Sequence, residues 1–125
     1  MTVYLDTHVL VILAEGHSHK LSVAARRAIE RSDLLTSAAA VLELQLLYEI
    51  GRFRSTASKV IAILATDFGV KVCELPFRTV AEEALEETWA RDPFDRLIVA
   101  NAKVAKAPLV SRDEQILEHY SRAIW

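Results

Sequence analysis

The stretch Val3-Tyr4-Leu5-Asp6-Thr7-His8-Val9-Leu10-Val11-Ile12-Leu13-Ala14 carries the first decision about the fold. Val3-Tyr4-Leu5 is a short β-prone run, and from Thr7 to Ala14 the apolar spacing turns helical. A strand leading straight into a helix, with an acid at the junction, opens an α/β unit. The alternation continues downstream. A helix is expected from about Leu21 to Arg31, and Leu34-Leu35-Thr36 reads as a buried strand. Ser37 is placed to cap a helix that reaches Ile50 and stops at Gly51. Ser55 opens the next helix, ending at Gly69, and Val70 to Leu75 reads as a strand. Thr79 with Glu82 has the spacing of a capping box for a helix to about Ala90. Asp92-Pro93 puts aspartate at a cap and proline at the first helical position, starting a helix to about Ala105. Leu109-Val110 is another short apolar strand, followed by a helix near Glu114 to His119. Short apolar strands between helices predict the α/β class with a mostly parallel, covered sheet.

Composition agrees with this pattern. The chain has 125 residues, 52% of them hydrophobic and 26% charged, with three glycines and three prolines, which excludes a disordered or low-complexity chain. Its length predicts one domain over residues 1–125, able to bury roughly two-thirds of the unfolded surface without disulfide or metal staples. Cys73 is the single cysteine, so no internal disulfide can form and a reducing cytoplasm is expected. The longest apolar run, Val9 to Ala14, falls far short of the ~20 residues that span a bilayer. Asp6 interrupts the apolar stretch before it and no basic segment precedes it, so no signal peptide and no membrane partner are expected. A formal net charge of −2 speaks against a strongly electrostatic nucleic-acid binder. The charge is uneven, however. Lys20 to Val60 holds seven Lys/Arg against four acids, and Glu74 to Asp95 holds two against seven.

Ligands of open α/β sheets bind beyond the carboxyl ends of the strands. Asp6 directly follows the first strand and Asp113 lies three residues after Val110; each would serve equally as a helix cap. Glu43 is more telling. Its helical neighbours Ala39, Ala40, Leu46 and Leu47 are all apolar, so it interrupts a core-facing stripe. A carboxylate buried there must protonate or recruit a cation. Asp95 lies one turn into the helix begun by Asp92-Pro93, where the helix dipole also favours an acid. If Asp6, Glu43, Asp95 and Asp113 converge, each pair about 6 Å apart repels by roughly 3 kcal/mol at an effective dielectric of ~20. Bound cations or raised pKa values would then be required. Hard oxygen ligands without a His or Cys cluster select Mg²⁺ or Mn²⁺ over zinc, which suits phosphodiester hydrolysis. With these four acids set aside as ligands, the remaining formal charge becomes positive, so the bulk charge does not exclude a nucleic-acid partner.

At these residues the chain resembles a PIN-domain ribonuclease, specifically a VapC-type toxin of a toxin–antitoxin pair. The resemblance is carried by Leu5-Asp6-Thr7-His8, Ser37 to Glu43 with Gly51-Arg52, Arg91-Asp92-Pro93-Phe94-Asp95-Arg96, and Leu109-Val110-Ser111-Arg112-Asp113, in the family's order. It implies a PIN-like three-layer α/β/α sandwich and Mg²⁺-dependent endoribonuclease activity, with Mn²⁺ as a substitute. It implies Asp6, Glu43, Asp95 and Asp113 as the catalytic metal ligands, and Thr7 and Ser111 as polar helpers at the substrate. It also implies an RNA substrate, a cognate antitoxin and a homodimer. Ser111 stands where threonine is common, Leu42 where a tryptophan often precedes the glutamate, and Asn101 where glutamine is frequent. None of these departures removes a carboxylate.

Among the basic residues, Arg52, Arg96 and Arg112 are candidates for RNA phosphates, with Arg54 and Lys59 beside the first. The apolar helices at Leu42 to Phe53 and Val60 to Leu64 offer either a partner surface or core packing. His8 is placed for a substrate phosphate or for capping and packing, while His17 and His19 fall in a polar loop. Cys73 reads as core. The three glycines form no phosphate loop. Two other readings compete: a non-catalytic PIN-like module that regulates with a DNA-binding partner, and a phosphoacceptor receiver-type domain. The second lacks the lysine it needs after a late strand, since Arg112 stands there.

Overall fold

Strand β1 (Thr2–Leu5) runs through the middle of a five-stranded sheet in the computed structural model, which describes residues Met1 to Trp125. It pairs on one side with β2 (Asp33–Thr36), which pairs with β3 (Lys71–Val72). On the other side it pairs with β4 (Leu109–Val110), beyond which lies β5 (Ala123–Ile124). Every pairing is parallel, in the order β3-β2-β1-β4-β5. Val3, Tyr4 and Leu5 are 0%, 2% and 0% exposed. Successive strand residues point to opposite faces, so three buried in a row require cover on both faces. The helices supply that cover, giving the expected α/β/α sandwich.

The helices are α1 (Thr7–Ala14), α2 (Val23–Glu30), α3 (Ala38–Glu49), α4 (Ala57–Phe68), α5 (Phe77–Ala84), α6 (Pro93–Val104) and α7 (Glu114–His119). Helix α1 packs against α3 and α4, α3 also against α6, and α5 against α6. Side chains of Asp6, Ser22, Ser37, Thr56, Asp92 and Asp113 cap six of the starts by accepting from backbone N–H groups. Helix α4 ends at Gly69, whose φ of 69° is the left-handed geometry that glycine adopts without strain.

Several expectations are corrected. The strand expected over Val70 to Leu75 shrinks to Lys71–Val72, because its one neighbour, β2, ends at Thr36 where Ser37 turns into a helix cap. Cys73 N–H still reaches the Thr36 carbonyl (2.8 Å) before the chain departs. Thr79 does not cap: α5 begins at Phe77 after Pro76, and Glu82 pairs with Arg78 instead, Nε to Oε1 3.0 Å. Helix α5 stops at Ala84 rather than near Ala90: the chain tightens into turns in which Glu86 N–H reaches the Glu83 carbonyl (3.0 Å) and Glu87 N–H the Ala84 carbonyl (3.2 Å), and Arg96 of α6 donates to the carbonyls of Ala84 (3.1 Å) and Leu85 (3.3 Å). The cap of α4 is Thr56 rather than Ser55. Strand β5 carries no readable pattern, being two residues long. Val60 and Leu64 are fully buried, so that part of the suggested partner surface is core. Leu42, Leu46 and Ile50, four residues apart along α3 and its cap, are instead 55%, 38% and 64% exposed.

Register positions the site. Leu5 aligns with Thr36 on one side and Val110 on the other, so β1, β2 and β4 end level. The residues that follow (Asp6, Ser37 and Ser111) therefore emerge along one sheet edge. Chain order reverses across β1 and β4, which makes that edge the topological switch point.

Behind α5 the link to α6 is pinned by a buried charge. Glu87 is 1% exposed; its carboxylate accepts from Trp89 Nε1 (2.6 Å) and lies 2.5 Å from Lys103 Nζ of α6. Removing one partner of a buried pair strands the other charge without solvent. Lys103→Met is expected to cost about 3 kcal/mol in urea unfolding, the low end for a buried pair because Lys103 is partly exposed. Glu87→Leu combined with Lys103→Met should recover part of that loss. Equal destabilisation by the single and double variants would show that packing, not the stranded charge, sets the cost.

Candidate active site

Asp6 leaves β1 as the cap of α1. Its Oδ1 accepts from the Thr7 N–H (2.7 Å) and its Oδ2 from the Ser111 hydroxyl (2.6 Å). Ser111, the first residue after β4, in turn accepts from the Asp113 N–H (3.1 Å). Asp113 caps α7 through Gln115 N–H (2.9 Å) and Ile116 N–H (3.1 Å). The Thr7 hydroxyl donates to Glu43 Oε1 of α3, tying the second strand–helix unit to the first. Asp92 caps α6 by accepting from Phe94 N–H (2.8 Å) and Asp95 N–H (3.1 Å), which sets Asp95 in the first turn.

These elements meet around a cavity of about 240 Å³ lined by Asp6, His8, Glu43, Asp95, Arg112 and Asp113, with no apolar residue in its wall. All four acids singled out in the sequence share it. None takes part in an ion pair, although Arg112 stands in the same wall. Their electrostatics follow. Burial raises the Asp6 carboxyl, against the hydrogen bonds from Ser111 and Thr7 and the nearby His8. Burial likewise raises Glu43, opposed by Thr7 and reinforced by Asp6 and Asp92. Asp95 is pushed up to about 7, by burial first and then by Asp92, Asp6, Asp113 and Glu43. The carboxylates stand around the cavity rather than in contact: no three His, Cys, Asp or Glu side chains form a ready coordination shell.

Other assignments shift. Thr7 and Ser111 are both 0% exposed. They lie beneath the carboxylates and orient them, and cannot reach a substrate from there. Arg96 is spent on the carbonyls at the end of α5 and is absent from the cavity wall. Arg112 lines the acidic cavity, and Arg52 lines a neighbouring one. Glu43 sits half-buried at the boundary of its stripe, since Ala40 is buried but Leu46 is exposed. From sequence, His8 suits either a phosphate contact or capping and packing. It is the one exposed residue of α1 and forms part of the cavity wall. The sequence carries a signal for this: a polar residue two places after the cap, before a run from Val9 to Ala14 that is wholly apolar.

With this geometry established, comparison with known proteins decides the family. The sequence profile of the PIN domain matches residues 3–122. The chain belongs to the PIN domain family. No curated protein sequence matches it significantly. Solved structures similar to this PIN domain include VapBC2 from Rickettsia felis bound to a fragment of its promoter DNA (TM-score 0.68, 14% identity, covering 98% of this chain and 96% of that one). A toxin–antitoxin complex from Klebsiella pneumoniae is similar at TM-score 0.65 and 15% identity, with 98% and 96% covered. VapC20 from Mycobacterium tuberculosis, a sarcin–ricin loop cleaving toxin, is similar at TM-score 0.61 and 19% identity, with 94% and 95% covered. At these identities the likeness is one of fold.

The raised Asp95 has a direct consequence for stability. A carboxyl whose folded pKa exceeds its unfolded value stabilises below the unfolded pKa, and that contribution is lost as pH rises through the folded one. For Asp95 the window runs from 3.8 to about 7. In EDTA, Asp95→Asn should raise the melting temperature, by more at pH 8 than at pH 5. A variant less stable than the parent at pH 8 would reverse the sign of this electrostatic account.

Proposed function

We propose that this PIN domain, acting as one catalytic domain over residues 1–125, is a Mg²⁺-dependent endoribonuclease and the toxin half of a type II toxin–antitoxin pair. One observation carries the reading: four carboxylates from separate elements line a single cavity without an ion pair or an apolar wall. The donor set fits a hard divalent cation. Mg²⁺ keeps several of its waters and is held by one or two carboxylates directly, so acids spaced around a cavity suit a hydrated ion better than a closed shell would. Mn²⁺ fits the same oxygen donors. Asp6, Glu43, Asp95 and Asp113 would hold it. When bound, such an ion supplies a nucleophilic water near neutral pH and offsets the charge of the phosphodiester.

The chain's own side chains prepare the site. Thr7 and Ser111 hold Glu43 and Asp6 in fixed orientation, and Asp92 fixes the turn that carries Asp95. His8 and Arg112 bring donors to the cavity wall, where a phosphate would otherwise meet only negative charge. The PIN family supports a nuclease, and the sarcin–ricin loop cleaving toxin among the structural neighbours supports RNA as its substrate. The toxin–antitoxin complexes among them support a cognate antitoxin. The exposed α3 residues Leu42, Leu46 and Ile50 offer an apolar face for a homodimer. No helix is long and apolar enough to cross a membrane, in keeping with action on cytoplasmic RNA.

The regulatory reading draws on the promoter DNA in the Rickettsia complex, and it predicts partner-dependent DNA binding without hydrolysis. Cleavage separates the two. Structured RNA should be cut with Mg²⁺, spared with EDTA, and spared by Asp6→Asn. Thr7→Val and Ser111→Ala, which remove the orienting hydroxyls, should each lose roughly 10–100-fold in activity while remaining folded. Undiminished cleavage by Asp6→Asn would reject the assignment, and so would cleavage indifferent to EDTA.

A further inference from the structure

A second cavity, about 350 Å³, opens beside the acidic one and shares His8, Glu43 and Arg112 with it. Its balance is different. Lys20, Arg52 and Arg112 bring three cations, none engaged in an ion pair, against the two carboxylates of Glu15 and Glu43, and the wall also includes Leu47 and Phe53. The cations are exposed and Phe53 is half-buried.

Local structure presets these groups. Lys20 closes a 3₁₀ turn, Ser18–Lys20, that Arg26 of α2 secures by donating to the Ser18 carbonyl (3.0 Å). After α3 the chain reverses at Gly51, with φ of 80°. Both Arg52 N–H (2.9 Å) and Phe53 N–H (3.2 Å) then return to the Leu47 carbonyl. The backbone of Arg52 and Phe53 is thereby fixed before any ligand arrives, so only their side chains remain to be ordered on binding.

We propose that this second cavity seats the nucleotide next to the one cut, with Lys20 and Arg52 on its phosphate and Phe53 beneath its base. This rests on the nuclease reading of the adjoining site. Two features favour RNA over an acidic protein segment. Cations and an aromatic ring in one wall match the two parts of a nucleotide, its phosphate and its base. The shared wall of His8, Glu43 and Arg112 also makes one continuous strand the natural occupant of both cavities. Arg112, at the boundary, can follow the backbone from one to the other.

The test is RNA affinity by fluorescence anisotropy, with a short labelled single-stranded RNA and EDTA present. Without a cation the acidic cavity repels phosphate, so the affinity that remains reports the second cavity. Lys20→Ala and Arg52→Ala should each weaken binding severalfold and lower the slope of log affinity against log salt by about 0.7. Phe53→Leu, which keeps the apolar volume, should weaken it roughly tenfold, while Phe53→Tyr keeps the stacking face and the affinity. Arg78→Ala, paired with Glu82 on α5, removes a positive charge elsewhere and should change neither affinity nor slope. With Mg²⁺, the Lys20 and Arg52 variants should act through KM far more than through kcat. Affinity and salt slope unchanged in Lys20→Ala and Arg52→Ala would overturn the proposal, as would an equal loss in Arg78→Ala. If the parent chain fails to cut RNA yet binds it in a way that depends on Lys20, Arg52 and Phe53, the nuclease reading falls and the nucleotide seat stands.

Discussion

Everything at the candidate site depends on how one buried carboxylate is held. Asp6 leaves the central strand at the point where chain order reverses, and it is 6% exposed. Burial of a charge there is tolerable because both of its oxygens are engaged, one by the start of α1 and the other by Ser111 at the end of β4. The two hydrogen bonds join neighbouring strands through a side chain, just past the last backbone pairing of Leu5 with Val110. Thr7 extends the arrangement to Glu43, and the Ser111 hydroxyl extends it to Asp113. Three of the four acids are thus linked through one buried hydroxyl pair, and Asp95 joins them from the start of α6.

Such an arrangement opposes stability. Burial raises the Asp95 carboxyl first, and the carboxylates that share its cavity without a paired cation push it further, to about 7. Natural domains accept strain of this kind where function requires it and compensate in the surrounding structure. Here the compensation is visible: a sheet covered on both faces, side-chain caps on six helices, and the Glu87–Lys103 pair with Trp89 behind the site.

Charge is also sorted in space. The acidic cavity and the basic one adjoin, sharing His8, Glu43 and Arg112. The formal charge of −2 averages over both and describes neither. A phosphate backbone entering this region would meet cations on one side and the acids' proposed metal on the other.

Much of this was legible in the residues themselves. Val3-Tyr4-Leu5, Leu34-Leu35-Thr36 and Leu109-Val110 read as strands because a sheet covered on both faces needs unbroken apolar runs. Asp92-Pro93, Ser37 and Gly69 marked helix ends because capping is local chemistry. Glu43 stood out because an acid among alanines and leucines has few benign explanations. What failed were the features whose cause lies elsewhere in the chain. Helix α5 ends where Arg96 takes its carbonyls, β3 ends because β2 does, and β5 exists only because β4 offers an edge. Local pattern, then, determined the alternation of elements and the four acids, since propensity, capping and periodicity act over a few residues. Tertiary structure alone decided that the acids share one cavity, that Thr7 and Ser111 lie beneath them, and that Lys20 and Phe53 line a second one. Those placements come from strand register and helix packing, which join residues as far apart as Asp6 and Ser111 that sequence spacing does not relate.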